Sequence, residues 1–251
     1  MLRDLGDRAA AKEHYEASLR IATTVYGPDH AALAPALVGL GKLQAPIDRL
    51  AAIKKVTRAV SILRASAAPE RRIAIAQTTL AMMHIDAGDA EAKVGRMEAA
   101  ASAWALARIE FTQAVALVDG APNRQLVRAQ SGLCHVAALL GTGGAGLKAC
   151  AVALDTLAAY DKSGAKDEVD VLMDYARLLP ATRQAARREL LAAAVAWYER
   201  EGHGGTDRHA LATLLVTQSE AGPTSNAETR LPAAVQAALD RIVDSRASKP
   251  Q

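Results

Sequence analysis

The chain has 251 residues, 51% of them hydrophobic and 23% charged, so it can bury a core and is too apolar to stay unfolded. Its 30 basic and 27 acidic residues leave a formal charge of +3, spread without any block of five like charges, which argues against nucleic-acid binding. Aromatic residues make up 3% while alanine alone supplies 58 positions, and small unbranched side chains favour close-packed helices over sheets.

Taken in order, the apolar spacing and turn residues predict eleven helices: 7–25, 30–44, 47–65, 70–87, 89–119, 123–140, 144–160, 166–179, 181–201, 206–220 and 231–245. Pro28, Pro46, Pro69, Pro122 and Pro180 stand where helices begin, because a fixed φ and a missing N–H are harmless in a first turn. The start, MLRDLGDRAAAKEHYE, has no apolar run of signal-peptide length, and no stretch reaches the roughly 18 apolar residues of a membrane span. A cytoplasmic chain without membrane contact is expected.

The segment "LGDRAAAKEHYEASLRI" places Gly6, Ala11, Tyr15, Ser18 and Leu19 at the turn, packing and aromatic positions of a tetratricopeptide repeat. "YGPDHAALAPALVGLGKL" resembles the link and first helix of kinesin-light-chain-type repeats, with a period near 42 residues. The register carries forward. Pro28 recurs as Pro69 and Pro122, and Leu40 as Leu80 and Leu133. Ala11 and Ser18 are matched by Ala52 and Ala59, then by Ala107 and Ala114, with Phe111 in the place of Tyr15. A dozen or so extra residues in the third repeat, within "DAEAKVGRMEAAASAWALARIEF", read as a lengthened second helix.

The resemblance implies an all-α fold: a right-handed α-solenoid of antiparallel hairpins, with repeats over 1–160, degenerate hairpins over 161–245 and a disordered tail at 246–251. The first repeat lacks its first helix, which leaves an apolar face suited to pairing with another copy and suggests a piece of a longer chain. The family's function is non-enzymatic: its first helices line a groove that holds a protein or peptide partner. Positions flanking the helix leucine supply the groove contacts, and here they are Lys42, Thr79, Met82, Arg128, Ser131 and His135. The cationic members suit an acidic partner. The asparagine common before that leucine is replaced by Gly39, Thr79 and Gly132. Bacterial repeats of this kind resemble those attached to serine/threonine kinases, which would make the chain a regulatory tail.

Competing motifs are weaker. Gly141, Gly143 and Gly146 spell G-x-G-x-x-G, but a dinucleotide fold needs a strand before them and a second strand after. Lys148 is followed by Ala149 where a P-loop needs Ser or Thr. The register instead puts "GTGGAG" on an inter-helix turn, since a turn glycine falls eight positions after the helix leucine: Gly88 after Leu80, Gly141 after Leu133. A nucleotide-dependent regulator is the alternative this leaves, and no motif calls for a cofactor. Cys134 and Cys150 match no zinc or redox spacing and read as small buried hydrophobes. Cys134 and His135 are neighbours on a helix, point about 100° apart and form no catalytic pair. Glu199, Glu201, His203, Asp207 and His209 fall in a glycine-rich connection that reads as a solvated loop rather than a metal site. Trp104, Phe111 and Trp197 read as core.

Overall fold

A computed structural model describes residues 7–118, 120–160, 165–220 and 231–244. Gly6 and the 246–251 tail lie outside the described residues. Those described form helices and turns with no strand, in two compact units, Met1–Gly120 and Ala121–Gln251.

Unit 1 stacks α1 (Arg8–Tyr26), α2 (Ala34–Gln44), α3 (Arg49–Ala65), α4 (Glu70–Lys93) and α5 (Met97–Val118), each packed on the next, with a 3-10 turn at Ala31–Leu33 leading into α2. The starts are chemically marked. The Asp7 carboxylate accepts from Ala10 N at 2.8 Å and the Asp48 carboxylate from Ala51 N at 3.0 Å, each satisfying a first-turn donor that has no intrahelical acceptor. Pro69 is itself the N-cap of α4, while Pro28 and Pro46 each stand two residues ahead of the capping residue, His30 and Asp48.

The small residues do what the repeat register requires. Ala52, Ala59, Ala107 and Ala114 have no exposed surface and Ala11 is buried, so successive helices approach at methyl-sized contacts. Ser18, which occupies the corresponding position in α1, is exposed, because no described element packs on that side of the helix. Gly39 lies under the Tyr15 ring and Gly88 against the Trp104 indole, so a Cβ at either glycine would collide with an aromatic side chain. Leu33, Leu37, Val56, Ile62, Leu63 and Leu80 fill the space between α2, α3 and α4. Arg58 Nη2 donates to Pro28 O at 2.9 Å and Arg72 Nη2 to Ala31 O at 3.1 Å, tying α3 and α4 to the connection before α2.

The insertion is distributed differently from the sequence expectation. The predicted turn at Gly88 and single long helix over 89–119 are replaced by two lengthened helices, 24 residues in α4 and 22 in α5, with the reversal at Val94–Arg96. Antiparallel partners bury each other only as far as both extend, so matched lengths waste no apolar surface. Gly95, at φ +79°, takes the turn conformation that a side chain would oppose. Gly88 is small for packing, not for turning.

Unit 2 contains α6 (Arg124–Leu140), α7 (Gly144–Ala159), α8 (Ala165–Leu178), α9 (Gln184–Arg200), α10 (Asp207–Glu220) and α11 (Ala233–Asp244), with a 3-10 turn at Ala181–Arg183 before α9. Consecutive packing runs from α6 to α10, and α6 also meets α8. The final helix, α11, packs on α7, α8 and α9 through Val235, Ala238, Leu239 and Ile242, with Arg241 Nη2 2.9 Å from Glu168 Oε1.

"GTGGAG" is the α6–α7 turn, as the repeat register requires. Gly141 caps α6 in the left-handed region (φ 62°, ψ 36°) and its N–H donates to Ala137 O. Gly146 is buried inside α7, where an added Cβ would stand 2.8 Å from Leu178 Cδ1.

The cysteine reading is corrected. Both cysteines are fully buried, as expected, but Cys134 and Cys150 are joined by a disulfide. Cys134 precedes Gly141 by seven residues and Cys150 follows Gly143 by seven. In an antiparallel hairpin, residues equally far from the turn face each other, and the two Cα atoms are 4.5 Å apart.

Candidate functional site

On unit 1 the face formed by α2 and α4 carries a slot of about 190 Å³ lined by Ala34, Pro35, Val38, Leu63, Arg72, Ile75 and Ala76. Along each helix the register that lines the slot continues beyond it. Pro35, Val38 and Lys42 follow at i, i+3 and i+7 along α2, and Ile75, Thr79 and Met82 at i, i+4 and i+7 along α4. A 150 Å³ apolar cavity takes a benzene ring, so this slot accommodates one large aliphatic or aromatic side chain. Arg72 is its only charged lining residue. Lys42 is exposed in the last turn of α2, and Met82 is 52% exposed. Thr79 is buried, and its hydroxyl donates to Ile75 O at 2.9 Å within its own helix.

Behind this face a polar seam joins α4 to α5. Gln77, fully buried, donates from Nε2 to Glu110 Oε2 at 3.1 Å and to Gln113 Oε1 at 2.7 Å, while Trp104 Nε1 donates to Asp89 Oδ1 at 3.0 Å. Burial lowers the pKa of His84 against the opposing charge of Glu110, and it raises that of Asp86, with Asp89 adding to the rise and Arg49 opposing it.

Arg128, Ser131 and His135 lie along α6 in unit 2, and their surroundings differ from those of the unit 1 residues. Arg128 is exposed; Ser131 is half-buried, and its hydroxyl has no hydrogen-bond partner among the described residues. His135 is engaged. Its Nδ1 is 2.9 Å from Asp174 Oδ2 on α8, and Arg208 on α10 brings Nη2 within 3.2 Å of the same nitrogen.

Asp174 is 2% exposed and also meets Arg208 Nη1 at 3.2 Å and Arg177 Nη1 at 3.4 Å. Burial pushes its carboxyl upward, but the His135 charge and hydrogen bond, with Arg208 and Arg177, outweigh that and hold it at about 2. One turn earlier, Asp170 accepts from the Tyr198 hydroxyl and from Lys166 Nζ at 2.7 Å. Burial and that hydrogen bond push Tyr198 up. The Asp174 and Asp170 carboxylates raise Arg208 despite its burial.

Sequence reasoning did not single out Asp170, Asp174, Arg177, Tyr198 or Arg208. A signal was present in "DVLMDYAR", where Asp170, Asp174 and Arg177 recur once per turn within an otherwise apolar stretch of α8.

The connection expected to be a solvated loop is held by contacts. The His203 ring stacks on Trp197 with centroids 5.6 Å apart, and His209 Nδ1 accepts from Gly205 N at 3.2 Å. His209 Nε2 stands 3.6 Å from Glu199, longer than a hydrogen bond. Trp104, Phe111 and Trp197 are buried, as read from the sequence. Among the described residues no group of three or more His, Cys, Asp or Glu side chains is arranged to hold a metal ion, and no helix is long and apolar enough to cross a membrane.

Stacked antiparallel helices meeting at small residues, with a side-chain slot on one helical face, define a helical-hairpin repeat protein of the kind that binds other proteins. Residues 1–65, spanning α1, α2 and α3, match the tetratricopeptide repeat family. No curated protein matches the chain.

Proposed function

We propose that the chain is a non-enzymatic binding module whose α2–α4 face holds a peptide segment of a partner protein, of the kinesin-light-chain-like type that the repeat period resembles. The observation that carries this reading is the slot between Pro35, Val38 and Ile75, which is apolar, open, and placed on the helices that line the groove in tetratricopeptide repeats. Lys42, Arg71 and Arg72 against Glu70 give α2 and the first half of α4 a cationic surplus, which supports an acidic partner. Thr79 and Met82 extend the same face. On α6, Arg128 and Ser131 remain candidates for partner contact, while His135 is committed to Asp174 and Arg208.

The test is a displayed peptide library selected on the full chain. Selected binders should lose at least tenfold affinity for Val38→Asp and Ile75→Asp while helicity is unchanged, and lose less for Lys42→Glu. Binders indifferent to both slot substitutions would overturn the reading.

A second reading, self-association through α1, is favoured by Ile21 and Val25, which are 64% and 62% exposed one turn apart. A concentration-independent monomer in sedimentation would remove it. The disulfide supports an oxidising setting for the mature chain over the cytoplasm. A role as the regulatory tail of a larger signalling protein rests on the resemblance alone. It is tested by the coding sequence upstream of Met1.

A further inference from the structure

The connection between α8 and α9 in unit 2 is strongly basic. Between Asp174 and Glu189 the chain carries four arginines, Arg177, Arg183, Arg187 and Arg188, and no acidic residue. Arg177 stands in the last turn of α8, Arg183 closes the 3-10 turn, and Arg187 and Arg188 follow one turn into α9. The two helices pack on each other, so the reversal gathers these residues at one end of the hairpin. The Arg183 charge reaches Tyr175 on α8, where it opposes the upward push of burial on the phenol. The first turn of α9 has neither an acidic residue nor a side-chain cap, so the positive end of the helix dipole adds to the same field.

Arg187 is the unusual member. Its Nε is buried without a hydrogen-bond partner, and the described residues offer its guanidinium no ion pair. Burial lowers its pKa, the Arg177 charge lowers it further, and no carboxylate counters them. Asp174, the acid that precedes the run, is already shared among His135, Arg208 and Arg177, the last at 3.4 Å. Glu189 is exposed, and two residues on along a helix it points away from Arg187. Native folds pair nearly all buried donors, and a half-buried cation facing a second cation is unfavourable on both counts. An anion held by both guanidinia removes both penalties.

We propose that Arg177 and Arg187, with Arg183 beside them, form an oxyanion site on unit 2 that takes a phosphate dianion, whether inorganic phosphate or the phosphorylated side chain of a partner protein. A phosphomonoester carries about −1.5 to −2 charge at neutral pH and presents three acceptor oxygens, enough to meet two guanidinium forks. A carboxylate or a phosphodiester brings a single charge and leaves one cation uncompensated. Arginine rather than lysine at all four positions fits this chemistry, since a planar fork holds two oxygens at once. Arg187 Nε–H gains the acceptor that the chain itself does not supply. The site lies on unit 2, and neither its argument nor its test depends on the α2–α4 slot.

The experiment follows the full chain at low ionic strength by NMR of the arginine Nε–H groups and by thermal melts. The probes are inorganic phosphate, N-acetylphosphoserine amide and N-acetylaspartate amide. Both phosphate probes should bind saturably in the low millimolar range and raise Tm relative to chloride at matched ionic strength. They should shift the Arg187 Nε–H resonance and leave that of Arg58 on unit 1 in place. The aspartate probe should bind at least fivefold more weakly. Arg187→Gln should bind phosphate at least tenfold more weakly, and Arg187→Lys should restore binding only in part. Tighter binding of phosphoserine than of inorganic phosphate assigns the site to a partner's phosphorylated residue, and the reverse order assigns it to the inorganic ion. Absence of saturable phosphate binding, or binding undiminished by Arg187→Gln, would overturn the proposal. If Arg187→Gln loses helicity, the wild-type spectrum decides, because an Arg187 Nε–H signal that phosphate leaves unmoved refutes the site.

Discussion

Reducing the Cys134–Cys150 disulfide should lower the stability of unit 2 and leave unit 1 untouched. The bond closes a loop with a sequence separation of 16, and restricting the unfolded chain over such a loop is worth about 3 kcal/mol in the chain-entropy account. For a unit of the size of Ala121–Gln251 each kcal/mol moves Tm by roughly 3–5 °C, so the transition of unit 2 should fall by about 9–15 °C. Both sulfurs are fully buried, so a reductant added to the native protein should act slowly. The reduced form is best prepared by unfolding in denaturant with reductant and refolding with it still present. Thiol counting by mass spectrometry confirms the state, and circular dichroism follows the melt. Comparing oxidised and reduced wild type keeps every heavy atom in place, which a cysteine-to-alanine pair would not. A reduced chain whose melt coincides with that of the oxidised chain would refute the reasoning. It would mean that the turn glycines already close the hairpin in the unfolded ensemble.

Acid should weaken unit 2 through Asp174. Its folded pKa of about 2 lies below the ordinary aspartate value of 3.8, so its stabilisation is fully present above pH 4 and lost as pH falls toward 2; the loss is roughly 2 kcal/mol, and the slope should be missing in Asp174→Asn, as pH-dependent urea melts would show. Gly88→Ala should destabilise unit 1 by about 1–2 kcal/mol in thermal melts, because overpacking against Trp104 exceeds the roughly 1 kcal/mol of helix propensity that alanine gains; a raised Tm would contradict the packing role. Gly141→Ala should cost about 1 kcal/mol for its left-handed conformation, measured by urea titration. Joint replacement of Gly141, Gly143 and Gly146 by alanine should change only stability, and loss of specific ATP, GTP or NAD binding in a folded triple variant would restore the nucleotide reading.

What the sequence made legible was whatever repeats locally. Ala52 and Ala59 announce α3 as surely as Ala107 and Ala114 announce α5, because close helix contacts leave the same small residues at the same spacing. The Gly141 turn was legible for the same reason. Gly88 misled because a glycine demanded by an indole looks like a glycine demanded by a turn, and the true reversal at Gly95 fell outside the register. The disulfide was hidden in plain spacing: 134 and 150 match no motif, and only their equal distance from a turn makes them partners. The Asp174 cluster was least legible, since its members come from α6, α8 and α10, and no local pattern records which helices will meet.

The paired lengthening of α4 and α5 makes that hairpin an adjustable spacer. Its tip is the three-residue reversal at Val94–Arg96, where Val94 and the adjoining Met97 are more than half exposed, while its other end is anchored by α4 packing on α3 and α2. A designer could trim one turn from both helices together, or add one to both, and alter the protein's reach while keeping its anchored end. Trimming only one of them would strand apolar surface on the other. Length in such a hairpin is therefore inherited in pairs.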